Sequence, residues 1–295
     1  GNFTKYMRVE PDWPHTGWGS EKHSRLTTFT VPFGVTTMYA NCVGSGGRYS
    51  NVVGAPFSPP GGGAYASGSF SVTPGEVITL QVKYTGNNDG YSAVKRADGT
   101  VLVKAVQGQN GTRTLGGHVC KGGQASACVG SVKHSGGDGG RTGGPWPFTG
   151  LANGYNIGGC GGAAGPGGKG GNGGDGHYGS SGSSAQARGG SGTGGSASGG
   201  NSSGIGSDRS LFPGHNYGHI QEGGAVGILG KRESGQAYLA PAGTLAWTSA
   251  NHGSTSFTCE YFANSKGTVQ NAKAPEGYFG RGGWHGDNGG VYIWY

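Results

Sequence analysis

Glycine recurs with a period of three residues from Gly158 to Ser184, and this period constrains the fold more than any other feature of the chain. The tract divides into nine triplets, and all but one of them begin with glycine. A flexible Gly/Ser linker has no reason to keep such a period. A polyproline-II helix has three residues per turn, so every third residue lies on the same edge. The period therefore predicts glycine helices of this type.

Neighbouring glycine helices can pack into a lattice, because glycine has no Cβ to block their approach. Their N–H and C=O groups then bond between helices and are satisfied as they are in a sheet. The third residue of each triplet, such as Ala163, Lys169 or Asn172, is expected to point outward. A straight tract would span roughly 84 Å at ~3.1 Å per residue. We therefore expect the tract to fold back at least once.

The composition excludes several other classes of fold. With 71 glycines and 13 prolines among 295 residues, the chain lies outside ordinary globular usage. Proline is too scarce for the collagen triple helix. The sequence contains no run of 18 apolar residues, so we expect a soluble protein with no insertion into a membrane.

Strand patterns flank the glycine-rich region on both sides. Alternating apolar residues predict two short strands around a Pro-Phe-Gly turn at residues 32–34, a second hairpin between Ser69 and Val82, and a third around Asp98-Gly99. The apolar segment from residue 289 to residue 295 predicts a strand that pairs with the first strands. The predicted fold class is mainly β plus a polyglycine-II helix bundle, with little or no α-helix.

These patterns divide the chain into four segments. Residues 1–26 predict an N-terminal arm that attaches to another protein through Trp13 and Trp18. Residues 27–135 are β-rich, and residues 136–210 are predicted to form the polyglycine-II lattice. Residues 211–295 are predicted to return as strands and loops that close the same compact domain.

The basic residues are scattered along the chain. The formal net charge is +7, but no basic run is longer than a pair such as Lys95-Arg96. Proteins that bind nucleic acids usually show a dense basic stripe, so we expect no nucleic-acid partner. A mild positive excess suits contact with anionic glycans or lipopolysaccharide.

Motifs for metals, cofactors and catalysis are weak. Residues 87–90 read Asn-Asn-Asp-Gly, which offers oxygens to calcium but is commoner as a turn. The five cysteines form no Cys-x-x-Cys pair, and residues 171–176 match a dinucleotide fingerprint without the required strand and helix. No nucleophile motif is present. We therefore expect no metal, no cofactor, no catalytic residue and no enzymatic activity.

Aromatic and histidine side chains within glycine-dominated stretches are the candidate binding residues. Large rings in such stretches have few apolar neighbours, so their surface stays available to a partner. The alternative is that the rings cover the ends of the lattice and shield glycine backbone from water. The candidates are Trp146, Phe148, Tyr155, His177, Tyr178, His215, Tyr217, His219, Tyr278, Phe279, Trp284 and His285.

The order of these features resembles the glycine-rich domain of bacteriophage tail and tail-fibre proteins. The resemblance rests on residues 29–35 (Phe-Thr-Val-Pro-Phe-Gly-Val), residues 68–76, the glycine tracts and residues 289–295, and it covers almost the whole chain from about residue 29. The architecture is also similar to the distal tail-fibre adhesins of T-even-like phages, whose polyglycine-II sandwich displays receptor-contacting loops at one tip. Similar lattices occur in a receptor ectodomain and in an antifreeze protein, so the lattice alone does not indicate a function.

The resemblance implies a receptor-binding tip module of a phage tail or tail fibre, located in the virion and acting outside the cell. Its implied partners are a bacterial outer-membrane protein or polysaccharide, bound through the aromatic stretches, and a tail-fibre protein, bound through the N-terminal arm. A structural protein that self-assembles through its lattice faces remains the alternative. Aromatic side chains at one tip favour recognition, whereas rings spread over two opposed faces favour polymerisation.

Overall fold

The structure of the protein is a computed structural model. It describes residues 6–9, 25–48, 58–85, 87–112, 118–140, 161–165, 168–173, 226–227, 278–279 and 289–295. These residues form β-strands and one 3-10 turn but no α-helix, so the prediction of a mainly β chain with little α-helix is confirmed for them. No helix in the described ranges is long and apolar enough to cross a membrane.

The strands are numbered in chain order. They are β1 (Tyr6–Val9), β2 (Arg25–Thr30), β3 (Thr37–Val43), β4 (Tyr65–Ser71), β5 (Val77–Lys83), β6 (Tyr91–Arg96), β7 (Val101–Val106), β8 (Val132–His134), β9 (Val226–Gly227), β10 (Tyr278–Phe279) and β11 (Gly290–Trp294). The 3-10 turn covers Ala125–Ala127, between β7 and β8.

Two antiparallel sheets contain nine of these strands. The first sheet has the order β1-β11-β3-β4-β8, and the second has the order β2-β5-β6-β7. Among the described residues, β9 and β10 pair with each other and with no other strand. Strand β11 lies between β1 and β3, with Val291 opposite Cys42 and Val9. This confirms the prediction that the segment 289–295 pairs with the first strands.

The two larger sheets pack face to face through a core of small and medium-sized apolar side chains. Met38 and Ala40 alternate along β3, and Ile78 and Leu80 alternate along β5, because successive side chains of a strand point to opposite faces. All four are fully buried. The same cluster also contains Val31, Cys42, Ala64, Ala66, Val72, Val82, Val94, Val103, Ala105, Cys128, Val291 and Ile293.

Only one of the three predicted hairpins pairs as expected. The Asp98-Gly99 turn joins β6 to β7, with Gly99 at φ +88° and its N–H 3.0 Å from the carbonyl oxygen of Arg96. The other two hairpin predictions are wrong. Strands β2 and β3 lie in different sheets, and so do β4 and β5.

Turn geometry explains why these two pairs separate. Gly34 and Gly75 each have φ +83° at the third position of a turn closed by a backbone bond, Val35 N to Pro32 O in one and Glu76 N to Thr73 O in the other. Positive φ at that position alone is a type II turn. Type II turns splay the flanking strands, whereas two-residue hairpins use the mirror-image types. Both turns therefore carry the chain from one sheet to the other.

These turns meet at one end of the sandwich. Val31 donates its N–H to Glu76 O over 2.9 Å, so the two type II turns are bonded to each other. The Glu76 carboxylate accepts the N–H of Thr73 at 3.0 Å and a hydrogen bond from Arg96 at the base of the third turn. These bonds, that to Thr73 first, lower the pKa of Glu76. Phe33, at the tip of its turn, is 98% exposed.

Glycine-rich segments continue from the opposite end of the sandwich. We call seven segments the glycine array: residues 44–48, 58–64, 107–111, 120–124, 135–139, 161–165 and 168–173. Backbone hydrogen bonds join them, for example Gly44 N to Ala64 O and Gly47 N to Gly61 O, both 2.8 Å. The array therefore contains residues from the predicted β-rich segment (27–135) as well as from the predicted lattice segment (136–210).

The segments of the array approach more closely than side chains would allow. A Cβ added to Gly62 would lie closer than 3.0 Å to the carbonyl oxygen of Gly162, and one added to Gly137 would meet the carbonyl of Gly171 in the same way. Real Cβ atoms essentially never come this close to a backbone atom. Glycine is thus required at these positions by the neighbouring chain and not by its own dihedral angles.

The triplet tract folds back where the structure describes it. Gly165 and Gly168 exchange two backbone hydrogen bonds of 3.1 Å, which closes a tight reversal and confirms that the tract turns. Lys169 and Asn172 are exposed, as predicted for third positions. The prediction is wrong for Ala163, which is fully buried. A methyl group is small and apolar, so burial between segments favours it. Residues 158–160, 166–167 and 174–184 of the tract lie outside the described ranges.

Candidate functional site

Most of the aromatic candidates lie outside the described residues. Tyr278 and Phe279 form β10, whose backbone pairs with β9. The other predicted binding and attachment residues fall in undescribed stretches: Trp146, Phe148, Tyr155, His177, Tyr178, His215, Tyr217, His219, Trp284, His285, Trp13 and Trp18. Their clustering therefore stays a prediction.

The array does fix where the stretch 141–160 begins and ends. Strand β8 runs toward the array and continues into residues 135–139, so residue 140 lies at the end of the array that is remote from the sheets. Gly161 donates to Pro60 O and Ala164 donates to Gly63 O, both over 2.9 Å. Residues 161–164 thus run parallel to residues 60–63, which lead into β4. Gly161 therefore also lies at the remote end.

The stretch 174–225 begins at this same remote end. Gly170 donates to Ser135 O over 2.9 Å, and Gly173 donates to Asp138 O over 2.7 Å. Residues 170–173 therefore run parallel to residues 135–138, away from the sheets. The stretch 280–288 differs, because it is followed by Gly289, whose N–H lies 2.8 Å from the Ser45 hydroxyl oxygen near the sheets.

A polar network joins the array to the second sheet. The side-chain oxygen of Asn110 accepts from the backbone N–H of Arg48 at 3.0 Å and from the Tyr84 hydroxyl at 2.9 Å. The Arg48 guanidinium lies 4.2 Å from the centroid of the Tyr84 ring. Burial raises the pKa of Tyr84. Gln107 adds two bonds of 3.0 Å to the backbone of Thr85. These mutually bonded groups hold the sheet and the array in register.

Residues 87–90 are bonded as a turn. Asn88 adopts a left-handed conformation with φ +65°, and its side-chain oxygen accepts the N–H of Asn110 at 2.7 Å. The Asp89 carboxylate accepts a hydrogen bond from the Thr85 hydroxyl, which is the largest cause of its lowered pKa. This supports the turn interpretation over a calcium site. No group of three or more His, Cys, Asp or Glu residues suited to a metal occurs within the part of the chain that the structure describes.

The described cysteines are buried free thiols. Cys42, Cys120 and Cys128 form no disulfide. Burial raises the pKa of each thiol above its ordinary value. The thiolate is the reactive form of cysteine, so these three side chains are poor nucleophiles at neutral pH.

The outer face of the second sheet carries a group of lysines that the sequence alone did not reveal. The ammonium groups of Lys95, Lys104 and Lys83 lie 4.4, 5.4 and 5.8 Å from the centroid of the Tyr91 ring. They come from three adjacent strands, β6, β7 and β5. We call Gln81, Lys83, Tyr91, Lys95 and Lys104 together the Tyr91 surface.

Hydrogen bonds order the centre of the Tyr91 surface. Lys95 Nζ donates to the Tyr91 hydroxyl at 2.7 Å and to Gln81 Oε1 at 3.1 Å. The Tyr91 hydroxyl in turn donates to Gln81 Oε1 at 2.9 Å. A cation within about 6 Å of an aromatic centroid is attracted to the ring, so Tyr91 holds the three lysines around itself.

The sequence contained a signal for this surface. One lysine occupies an outward-facing position in each of β5, β6 and β7, and the Asp98-Gly99 hairpin aligns β6 with β7. Ala93 lies opposite Gln81 on one side and Lys104 on the other. Finding the surface from sequence requires this register, because Lys83 and Lys104 are far apart along the chain.

The chain matches no known protein-family model and no curated protein. The resemblance to phage tail proteins therefore rests on the sequence features alone.

Proposed function

We propose that this chain is the receptor-binding tip module of a bacteriophage tail or tail fibre and contacts a bacterial outer-membrane protein or surface glycan. In this proposal the β-sandwich is the scaffold, the glycine array is a rigid extension, and the stretches at the remote end of the array carry the contact residues. The N-terminal arm attaches the module to the fibre through Trp13 and Trp18. The assignment to receptor binding comes from the resemblance of the sequence to phage tail and tail-fibre proteins.

We further propose that the segments of the array are polyglycine-II helices. The spacing of the hydrogen bonds supports this. Donors that bond one neighbour lie three residues apart, as in Gly108 N to Ser45 O followed by Gly111 N to Arg48 O. Antiparallel β-ladders bond at every second residue of a strand, whereas a three-fold helix presents every third residue to the same neighbour. The dihedral angles of an experimental structure test this assignment.

The observation that carries the functional proposal is the common origin of two aromatic stretches. Residues 141–160 join the array at its remote end on both sides, and residues 174–225 begin there. These stretches contain Trp146, Phe148 and Tyr155, and His177 with Tyr178. Aromatic side chains in segments that begin at one end of a rigid support can contact the same partner, and several modest aromatic contacts together give useful affinity. Multivalency on a fibre supplies further avidity.

Adsorption to cells tests the proposal. We expect Trp146→Ala and Phe148→Ala to weaken binding of the labelled protein to intact Gram-negative cells, with each hot-spot truncation costing about 2 kcal/mol or more. Their melting temperatures should stay close to that of the parent protein. Trp294→Ala is the matched control, because Trp294 is only 2% exposed within β11. This variant should melt early.

Two results contradict the proposal. In the first, Trp146→Ala and Phe148→Ala melt as early as Trp294→Ala and adsorption per folded molecule does not change, which would mean that these rings stabilise the domain and do not bind a receptor. In the second, the parent protein binds no strain in a broad panel of Gram-negative cells but forms long polymers in sedimentation. That outcome indicates the structural, self-assembling alternative.

A further inference from the structure

We propose that the Tyr91 surface is a second binding site, specific for an anionic polysaccharide. It lies on the outer face of the second sheet, and the inference does not depend on the remote end of the glycine array or on the phage resemblance. Three ammonium groups around one ring, on a rigid three-stranded support, provide the charge, and neighbouring polar side chains provide contacts for sugar hydroxyls.

The charge of this surface is neutralised only in part by the described carboxylates. Each of the three ammonium groups lies within 6 Å of the Tyr91 ring centroid, so no two of them are more than about 11 Å apart. This separation is comparable to the screening length of ~8–10 Å at physiological ionic strength. Their repulsion is therefore only partly screened. Asp89 lies 3.9 Å from Lys83, and within the described ranges no carboxylate pairs with Lys95 or Lys104. A bound anion relieves this repulsion.

The lysine side chains are held across the sheet. Ala93 points to the same outer face, yet it is fully buried. Its cross-strand neighbours are Gln81 and Lys104, and the aliphatic part of a lysine readily covers apolar surface while its ammonium group stays in water. The hydrogen bonds of Lys95 to Tyr91 and Gln81 fix a second ammonium group. An anion therefore meets charges that are already in place.

The surroundings favour a saccharide over a nucleic acid. Thr79 lies opposite Lys95, and Thr28 lies opposite Thr79, so hydroxyl groups extend the same face next to the Gln81 amide. Hydroxyl and amide groups both donate and accept hydrogen bonds, as sugar hydroxyls do. Single-stranded nucleic acids instead require aromatic faces on which successive bases stack. The Tyr91 ring is surrounded by ammonium groups and offers no such face.

Binding of short dextran sulfate to the full chain tests the inference, with uncharged dextran of the same length as the control ligand. The double variant Lys95→Gln/Lys104→Gln should bind dextran sulfate at least about tenfold more weakly (~1.4 kcal/mol), because two ammonium groups that contact the anion are lost. The matched control is Lys133→Gln/Lys169→Gln, which removes the same charge from exposed lysines elsewhere. It should bind within about twofold of the parent protein.

Several outcomes overturn the inference. An equal loss of affinity in both double variants means that only the net charge matters. Equal affinity for dextran and dextran sulfate removes the role of the anion, and tighter binding of an oligothymidylate of equal charge indicates a nucleic-acid site. If the double variant melts early, single Lys104→Gln is compared with single Lys169→Gln, and equal affinities again refute the site. Trp146→Ala should leave dextran sulfate binding unchanged, which separates this site from the proposed receptor site.

Discussion

Replacement of Gly62 by alanine should strongly destabilise the glycine array. Gly62 donates its N–H to Gly137 O over 2.9 Å, and its own carbonyl oxygen accepts from Gly123 N at 2.8 Å. A Cβ at residue 62 would overlap the carbonyl of Gly162, which is itself the acceptor for Gly137 N at 2.8 Å. The methyl group must therefore push apart segments that are joined by these bonds.

The magnitude follows from the bonds that break. Separation of the segments disrupts the bonds Gly62 N to Gly137 O and Gly137 N to Gly162 O, and each buried group left unpaired costs ~1–3 kcal/mol. The loss is therefore about 2–6 kcal/mol. Alanine also reduces the conformational entropy of the unfolded chain, and this effect stabilises the folded state by ~0.4–1 kcal/mol. We expect a net loss of about 1–5.5 kcal/mol, or roughly 2–4 °C of melting temperature per kcal/mol.

Urea and thermal unfolding of the purified variant measure this loss. Gly75→Ala is the matched control, because Gly75 has φ +83° but nothing lies within 4 Å of its added Cβ. In the control variant, only the left-handed backbone conformation of the new alanine lowers the free energy of unfolding, by ~1–2 kcal/mol. A Gly62→Ala variant that is as stable as Gly75→Ala would show that close approach of the segments does not matter, and the account of the array would be refuted.

Two further predictions concern the sheets. Glu76→Gln should lower the free energy of unfolding by about 1 kcal/mol at neutral pH. Because the folded-state pKa of Glu76 is lowered, the parent protein should lose this contribution as the pH falls below about 4.3, whereas the variant should not. Free energies of unfolding that change in parallel for the two proteins from pH 6 to pH 2.5 would contradict this. Tyr65→Phe should cost ~1–3 kcal/mol in urea unfolding, because the buried side-chain oxygen of Asn41 loses the Tyr65 hydroxyl; an unchanged midpoint would mean that this bond adds nothing.

Local sequence patterns predicted the elements that depend on local chemistry. The Asp98-Gly99 turn specified the β6–β7 hairpin, since glycine takes the left-handed position that this loop requires. The apolar alternation of residues 291–295 predicted β11. The length of the glycine tract predicted that it folds back, and the structure places one reversal between Gly165 and Gly168. Each of these inferences needed only residues that are close together in the chain.

Other features depend on contacts that sequence patterns do not specify. The separation of β2 from β3 results from the type II geometry at Gly34, and a Pro-Phe-Gly sequence is equally compatible with a hairpin. The burial of Ala163 depends on which segment lies beside it. The Tyr91 surface needs the register of three strands, so Lys83 and Lys104 meet only after the sheet has formed.

The position of β11 also sets an order of events during synthesis. Because β11 lies between β1 and β3, the first sheet stays divided until residues 290–294 have left the ribosome, after every other described strand. Until then, β3 presents an unpaired edge of seven residues, Thr37–Val43, that another chain can add to. The bond from Gly289 to Ser45, which spans 244 residues, forms at the same late stage. Nascent chains are therefore exposed to mispairing at this edge while residues 44–289 are being synthesised, and a ribosome-associated chaperone that covers the β3 edge should raise the yield of folded protein.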